Sequence, residues 1–386
     1  MEVSWPAANA RRLQRHALLP AAPSETKPAE IAAAICGAHA QVLSAAELSI
    51  ALRIQESTRV NVRHALRDEH KLIKTYGPRG TVRLLAADDL PIWTAALSAI
   101  PAQSPFPDGV RLTHVQAEEI IAAIGDALAE AELTIEELDQ AIVGRVGRWA
   151  GERVMPAFQD LWPRWRQLVG MAGHRGMLCF GPQPRPPDDV HKSASLAAWL
   201  QACKSGGSHC QCDHGLPLRV RARHGTAVRA VDWCTACLGG RTVERRRKRL
   251  TQVIFDGTPA WIAEGDTDMP SAKEEATGSV LLLPYFDAFV VGSHPRDPLF
   301  PGKATPRARV PSGQAGNYPV LIIDGVVAGV WHQRRSGKWI EITVEPLGGL
   351  TIAQRRALQT QVERVGEILE GQPRLRVGKV TAGAHA

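Results

Sequence analysis

The stretch "KLIKTYGPRGTVRLLAADD", residues 71–89, decides the fold. Two short β-like runs flank "GPRG", and a Gly/Pro-rich tetrapeptide between such runs signals a hairpin. Three helical stretches precede it. "PAEIAAAIC" (28–36) reads as a helix that Gly37 ends in the left-handed conformation. Ser44 and Glu47 have the S-x-x-E spacing of a capping box and open "AAELSIALRIQ" (45–55). "TRVNVRHALRDE" (58–69) supplies the third. Helix, helix, helix, hairpin is the order of a winged-helix module, and "DDLPIWTAALSA" (88–99) is expected to pack behind it.

That order recurs along the chain without sequence identity between the copies. "THVQAEEIIAAIGDALAEAE" (113–132) is strongly helical, and Thr134 and Glu137 make a second capping box. "FQDLWPRWRQLVGMAGHRG" (158–176) leads into a short strand, "MLCFG" (177–181). A third, poorer copy runs from 191 to about 265 and ends in a two-strand wing, "TQVIFDG" and "TPAWIAE". From 279 the texture turns to strands. "SVLLLPYFDAFVVG", "YPVLIIDGVVAGVWHQ" and "KWIEITVEP" are separated by Gly, Pro and Asp-Gly turns, as in a small barrel or curled sheet. "TIAQRRALQTQVERVGEILEG" (351–371) closes it as an amphipathic helix.

The expected class is therefore α+β: tandem winged helices followed by a β-barrel-like domain. The boundaries read as a loose lead-in over 1–27, winged helices over 28–105, 106–190 and 191–270, the barrel-like domain over 275–371, and a frayed tail over 372–386.

A chain of 386 residues exceeds what one core sustains, roughly 250–300 residues. Its 44% hydrophobic and 22% charged residues are those of a soluble globular protein. A net charge of +7 suits an anionic partner. The longest apolar run, 279–292, is broken by Pro284 and Asp287, so no membrane span is expected. The N-terminus lacks the apolar stretch of a signal peptide, so the expected location is cytoplasmic. Seven cysteines in a reducing compartment then read as thiols or metal ligands rather than disulfides.

Taken in order, "YGPRGTVRLLAADDLPIW", "GMLCFGP", "LLLPYFDAFVVG" and "VLIIDGVVAGVW" resemble the AlkZ-like family of bacterial winged-helix DNA glycosylases over roughly residues 30 to 370. The resemblance implies three tandem winged helices and a β-barrel forming a C-shaped cleft for duplex DNA. It also implies hydrolysis of the N-glycosidic bond of alkylated purines, including bulky adducts and crosslinks, in base-excision repair or self-resistance. The family's catalytic motif, Gln–apolar–Gln, falls on His39-Ala40-Gln41, a departure at its first position that some relatives from genotoxin producers share. The alternative is a non-enzymatic winged-helix protein, either a regulator or a damage binder.

The residues suit the implied chemistry. An N7-alkylated purine carries positive charge and already leaves readily, so the task is to aim a water at the anomeric carbon and stabilise an oxocarbenium-like transition state. A neutral imidazole can take the water's proton, and a carboxamide can fix its orientation. In an extended joint, residues i and i+2 face the same way, which lets His39 and Gln41 share one water. No lysine sits in the motif, so a monofunctional enzyme without lyase chemistry or a catalytic cofactor is expected. Outside the family context, a His-x-Gln near a helix end is more often a surface pair or a cap.

Basic residues mark the expected DNA contacts. Arg59, Arg63, Arg79 and Arg83 fall on the third helix and wing of the first module. Arg334, Arg335 and Lys338 surround Ser336-Gly337 in "HQRRSGKW", a hairpin that by resemblance reaches the DNA groove. Five cysteines fall between 203 and 237, and Cys210, Cys212, Cys234 and Cys237 give C-x-C…C-x-x-C, compatible with a closed structural Zn²⁺ site, with His209, His214 and Cys203 as alternative ligands. Reduced loop thiols are the competing reading. The chain is expected to act as a monomer.

Overall fold

The computed structural model describes residues 1–100, 106–129, 131–156, 160–181, 250–267, 269, 278–310 and 315–384. The four candidate zinc ligands and the helical segments expected between 191 and 249 lie outside them. The described residues of Met1–Leu72 and Arg219–Ala386 form one compact unit, and those of Ile73–Leu218 form another.

The first unit begins with order where a loose lead-in was expected. Strand β1 (Glu2–Val3) pairs parallel to β7 (Leu250–Phe255), and helix α1 (Trp5–Arg15) follows, capped by Ser4 with Pro6 in its first turn. This order has a long-range cause. Asn9 donates to Gly325 O at 2.8 Å and Arg12 to Phe289 O at 2.6 Å, while Arg11 and Arg15 both bind Asp266. Leu13 is buried in the unit's main core. None of these partners is visible in the local pattern.

Helices α2 (Pro28–Ala34), α3 (Leu43–Ala51) and α4 (Arg59–Arg67) form as expected, and β2 (Ala38–His39) lies in the joint between the first two. The Ser44–Glu47 capping box does not form. Helix α3 starts after Val42 without a side-chain cap, and Glu47 turns inward to Arg63. Strands β7 and β8 (Thr258–Ala263) form the expected antiparallel pair.

The C-terminal sheet has the order β13-β12-β11-β10-β9 and is an open half-barrel. Its strands are β9 (Val280–Leu283), β10 (Val320–Ile323), β11 (Val326–Ser336), β12 (Trp339–Pro346) and β13 (Gln372–Val377). "SVLLLPYFDAFVVG" is thus no single strand. After β9 it turns at Tyr285-Phe286 and ends as a short helix, α9 (Ala288–Val291), which Asp287 caps. Short helix α10 (Ala304–Ala308) buries Ala304 and Ala308 in the same core as Phe289, Phe300, Val320 and Val330. Helix α11 (Ile352–Ile368) opens with a Thr351–Gln354 capping box. The tail expected to fray from 372 is instead β13, paired parallel to β12 in a β-α-β crossover.

The second unit holds most of β3 (Leu72–Tyr76), then β4 (Val82–Ala86) and helix α5 (Leu90–Ser98). The "GPRG" turn is as read, with Arg79 and Gly80 both at positive φ and Gly77 N–H bonded to Thr81 O. Helices α6 (His114–Leu128) and α7 (Ile135–Val146) pack Ile120, Ile124, Leu138 and Ile142 around the fully buried Trp165. The capping box at Thr134–Glu137 is present. A hairpin of β5 (Arg153–Pro156) and β6 (Leu161–Pro163) follows, then α8 (Val169–His174). "MLCFG" reduces to a single bridge between Phe180 and Lys74.

Candidate active site

The joint carrying His39 and Gln41 is fixed from both sides. Cys36 and Gly37 both take positive φ, and their N–H groups bond back to Ala33 O and Ala32 O, which reverses the chain at the end of α2. Ala38 and Ala40 then have no exposed surface, so the backbone between them is held by packing on each side. His39 is buried at 8% exposure, whereas Gln41 is exposed.

The His39 ring stacks on Phe286, with centroids 4.4 Å apart and planes 27° from parallel. Stacking occupies a face of the imidazole, and the two ring nitrogens lie in the ring plane, away from that contact. Phe286 itself sits at φ 55°, a left-handed conformation that is uncommon for an aromatic residue. Its N–H donates to Gly316 O at 2.8 Å. Gly316 has φ 99°, and a Cβ there would lie 2.7 Å from Val291 Cγ2 and 3.1 Å from Phe286 Cα. Only glycine fits that approach.

Beside Phe286 lies a fully buried ion pair. Asp287 Oδ1 accepts from Arg53 Nη2 at 2.8 Å and from the Phe289 N–H at 2.9 Å. Its Oδ2 accepts from Arg53 Nη1 at 2.9 Å and from Ser49 Oγ at 2.7 Å. Burial pushes the Asp287 carboxyl toward its neutral form, but the Arg53 charge and these hydrogen bonds more than offset it, so its pKa falls below the ordinary value. Ser49 is on α3 and Arg53 just beyond it. The pair therefore clamps the helix that follows Gln41 to the turn that presents Phe286 to His39.

The other nearby carboxylate is already engaged. Glu47 is buried, and both its oxygens accept from the Arg63 fork at 2.7 and 2.9 Å. Several expected DNA contacts are likewise tied into the fold. Arg63 holds Glu47, and Arg59 pairs with Glu370 at 2.6 Å. Arg335 donates to Leu369 O and Glu370 O just past the end of α11. Arg334 bonds Glu341 at 3.1 Å yet stays 78% exposed. Lys338 is exposed at the tip of the β11–β12 hairpin, over the Trp339 ring. In the second unit, Arg79 is exposed at its turn, and the half-buried Arg83 lays its aliphatic stem against Gly77. His39, Gln41, Arg59 and Arg63 share the first unit with the hairpin residues.

Sequence reading missed Phe286 as a partner of His39, and the Arg53–Asp287 clamp. A signal for the clamp existed: a lone Arg and a lone Asp in two apolar runs each need a buried partner.

An α+β chain with a His-x-Gln joint packed against its half-barrel fits the DNA glycosylases. Residues 32–368 match the model of the DNA glycosylase AlkZ-like family, and the chain belongs to that family of DNA-acting hydrolases. A curated relative, the interstrand DNA cross-link repair glycosylase of Streptomyces sahachiroi, is 26% identical over 352 residues, 86% of this chain and 88% of that protein. The solved structure of Streptomyces sahachiroi DNA glycosylase AlkZ shares the fold, with a TM-score of 0.71 at 20% identity over 98% of this chain and 100% of that one. The reading as a regulator without chemistry falls with this membership. Among the described residues no helix is long and apolar enough to cross a membrane.

Proposed function

We propose that the substrate is an N7-alkylated purine in duplex DNA, bulky natural-product adducts included, and that His39 and Gln41 hold and activate the hydrolytic water. The observation that carries this is the placement of the motif: the His39 ring is nearly buried and stacked on Phe286, and Gln41, two residues on, is exposed to solvent. The adduct's positive charge makes the base a good leaving group, so the protein contributes chiefly placement and proton acceptance. His39 accepts the water's proton as the C1′–N9 bond breaks and the C1′–O bond forms. Gln41 orients the water through its amide.

In this reading the helical segments and their hairpins are winged helices that seat the duplex, and the enzyme works as a monomer in base-excision repair or self-resistance. The relative's cross-link repair activity supports bulky adducts as substrates. The test is duplex DNA containing N7-methylguanine, scored for free base and alkali-labile sites. His39→Ala and Gln41→Ala should each slow base release by about 100-fold or more while DNA affinity is retained. Lost affinity with unchanged single-turnover chemistry would overturn the assignment.

A further inference from the structure

We propose that the solvent-facing side of β11, β12 and β13 is a phosphate-binding track for the DNA backbone, centred on Arg374 and Arg376. The strand register places these residues on one face. Arg334 lies opposite Glu341 and His332 opposite Thr343, and on the far side of β12 Glu341 pairs with Arg374 and Thr343 with Arg376. Directly opposed residues share a sheet face. The other face carries Ile340, Ile342 and Val344, all fully buried. Arg374 and Arg376 are exposed, and being two apart on a strand they stand about 6.6 Å from each other along it.

The track differs from the other basic groups because its central arginine is preorganised without being consumed. The Arg374 guanidinium lies 3.6 Å from the Trp339 ring centroid, and no hydrogen bond or ion pair engages it among the described residues. A stacked guanidinium keeps its N–H fork pointing outward in its own plane, the geometry that takes a phosphate bidentately. Arg376 is 72% exposed, with only a 3.9 Å approach to Glu341. Lys338 extends the positive strip around the hairpin tip. Arg59, Arg63 and Arg335, by contrast, spend their donors within the fold. Within the strip Glu341 touches both Arg334 and Arg376, whereas Glu345, two residues past Thr343 on the same face of β12, is held by Arg307. Polyanionic DNA fits this charge pattern, and an acidic residue among the cations should weaken its grip.

The inference rests on the chain being a DNA glycosylase and not on the roles of His39 and Gln41, because the test uses undamaged duplex and no chemistry. Binding of the full chain to labelled duplex is measured by anisotropy between about 50 and 200 mM salt. Arg374→Gln and Arg376→Gln should each weaken binding and lower the slope of log K against log salt by about 0.9, and the double variant by about 1.8. Glu341→Gln should do the opposite and tighten binding several-fold, a change that a misfolded sheet would not produce. Arg356→Gln removes an equal charge from the exposed surface of α11 and should leave the slope unchanged. Unchanged slopes in the Arg374 and Arg376 variants, weaker binding in Glu341→Gln, or an equal loss in Arg356→Gln would each overturn the track.

Discussion

Replacing Asp287 by Asn tests the clamp behind the candidate site with almost no change of shape. If the amide oxygen takes the Oδ1 position, its bonds to Arg53 Nη2 and the Phe289 N–H survive. The amide NH2 then faces Arg53 Nη1 and Ser49 Oγ, both donors to the native Oδ2. At least one bond to a charged group is lost, and the Arg53 charge, which has no exposed surface, is left uncompensated. Breaking one side of a buried pair in this way costs about 3–5 kcal/mol, or two to three and a half powers of ten in the folded-to-unfolded ratio. Urea unfolding followed by far-ultraviolet circular dichroism measures it. Arg53→Met combined with Asp287→Leu removes both charges and should recover to within about 2 kcal/mol of native, since an apolar pair of similar volume is often neutral. If the two single substitutions simply add in the double, the clamp reasoning is wrong. The pH dependence carries its own sign. The folded-state pKa of Asp287 is depressed, so its contribution is fully present above the ordinary carboxylate value of about 3.9 and is lost as pH falls through the lower folded value. The stability gap between native protein and Asp287→Asn should therefore narrow on acidification through that window.

Gly316→Ala puts a methyl group against Val291 and Phe286 at a φ that disfavours any side chain, and should cost about 1–3 kcal/mol. It should also displace Phe286, read as a downfield move of the His39 ring resonances when the stacked phenyl ring no longer shields them. For the cysteine cluster, metal analysis of the purified protein should find one zinc per chain. Cys234→Ser with Cys237→Ser should abolish that zinc without abolishing base release, because a closed tetrahedral site leaves no position for a reacting water.

Sequence alone determined those elements whose causes are local. Turn residues fixed the "GPRG" reversal and the Ser336-Gly337 tip, and the spacing of Thr134 and Glu137 fixed a helix start, because each involves groups only a few bonds apart. The position of His39-Ala40-Gln41 between two helices was legible in the same way, from Gly37 on one side and the apolar helix on the other. Tertiary structure decided everything that needed a distant partner. Glu47 has capping-box spacing but gains more from the Arg63 fork, so it turned into the core. Residues 372–377 have no strand signal strong enough alone and became β13 because β12 offered a free edge after the α11 crossover. The lead-in became α1 because Gly325, Phe289 and Asp266 supply its bonds. The stacking of Phe286 on His39 joins residues more than two hundred positions apart and depends on a backbone bend, a contact with Gly316 and the Arg53–Asp287 pair, and no local propensity encodes such an encounter.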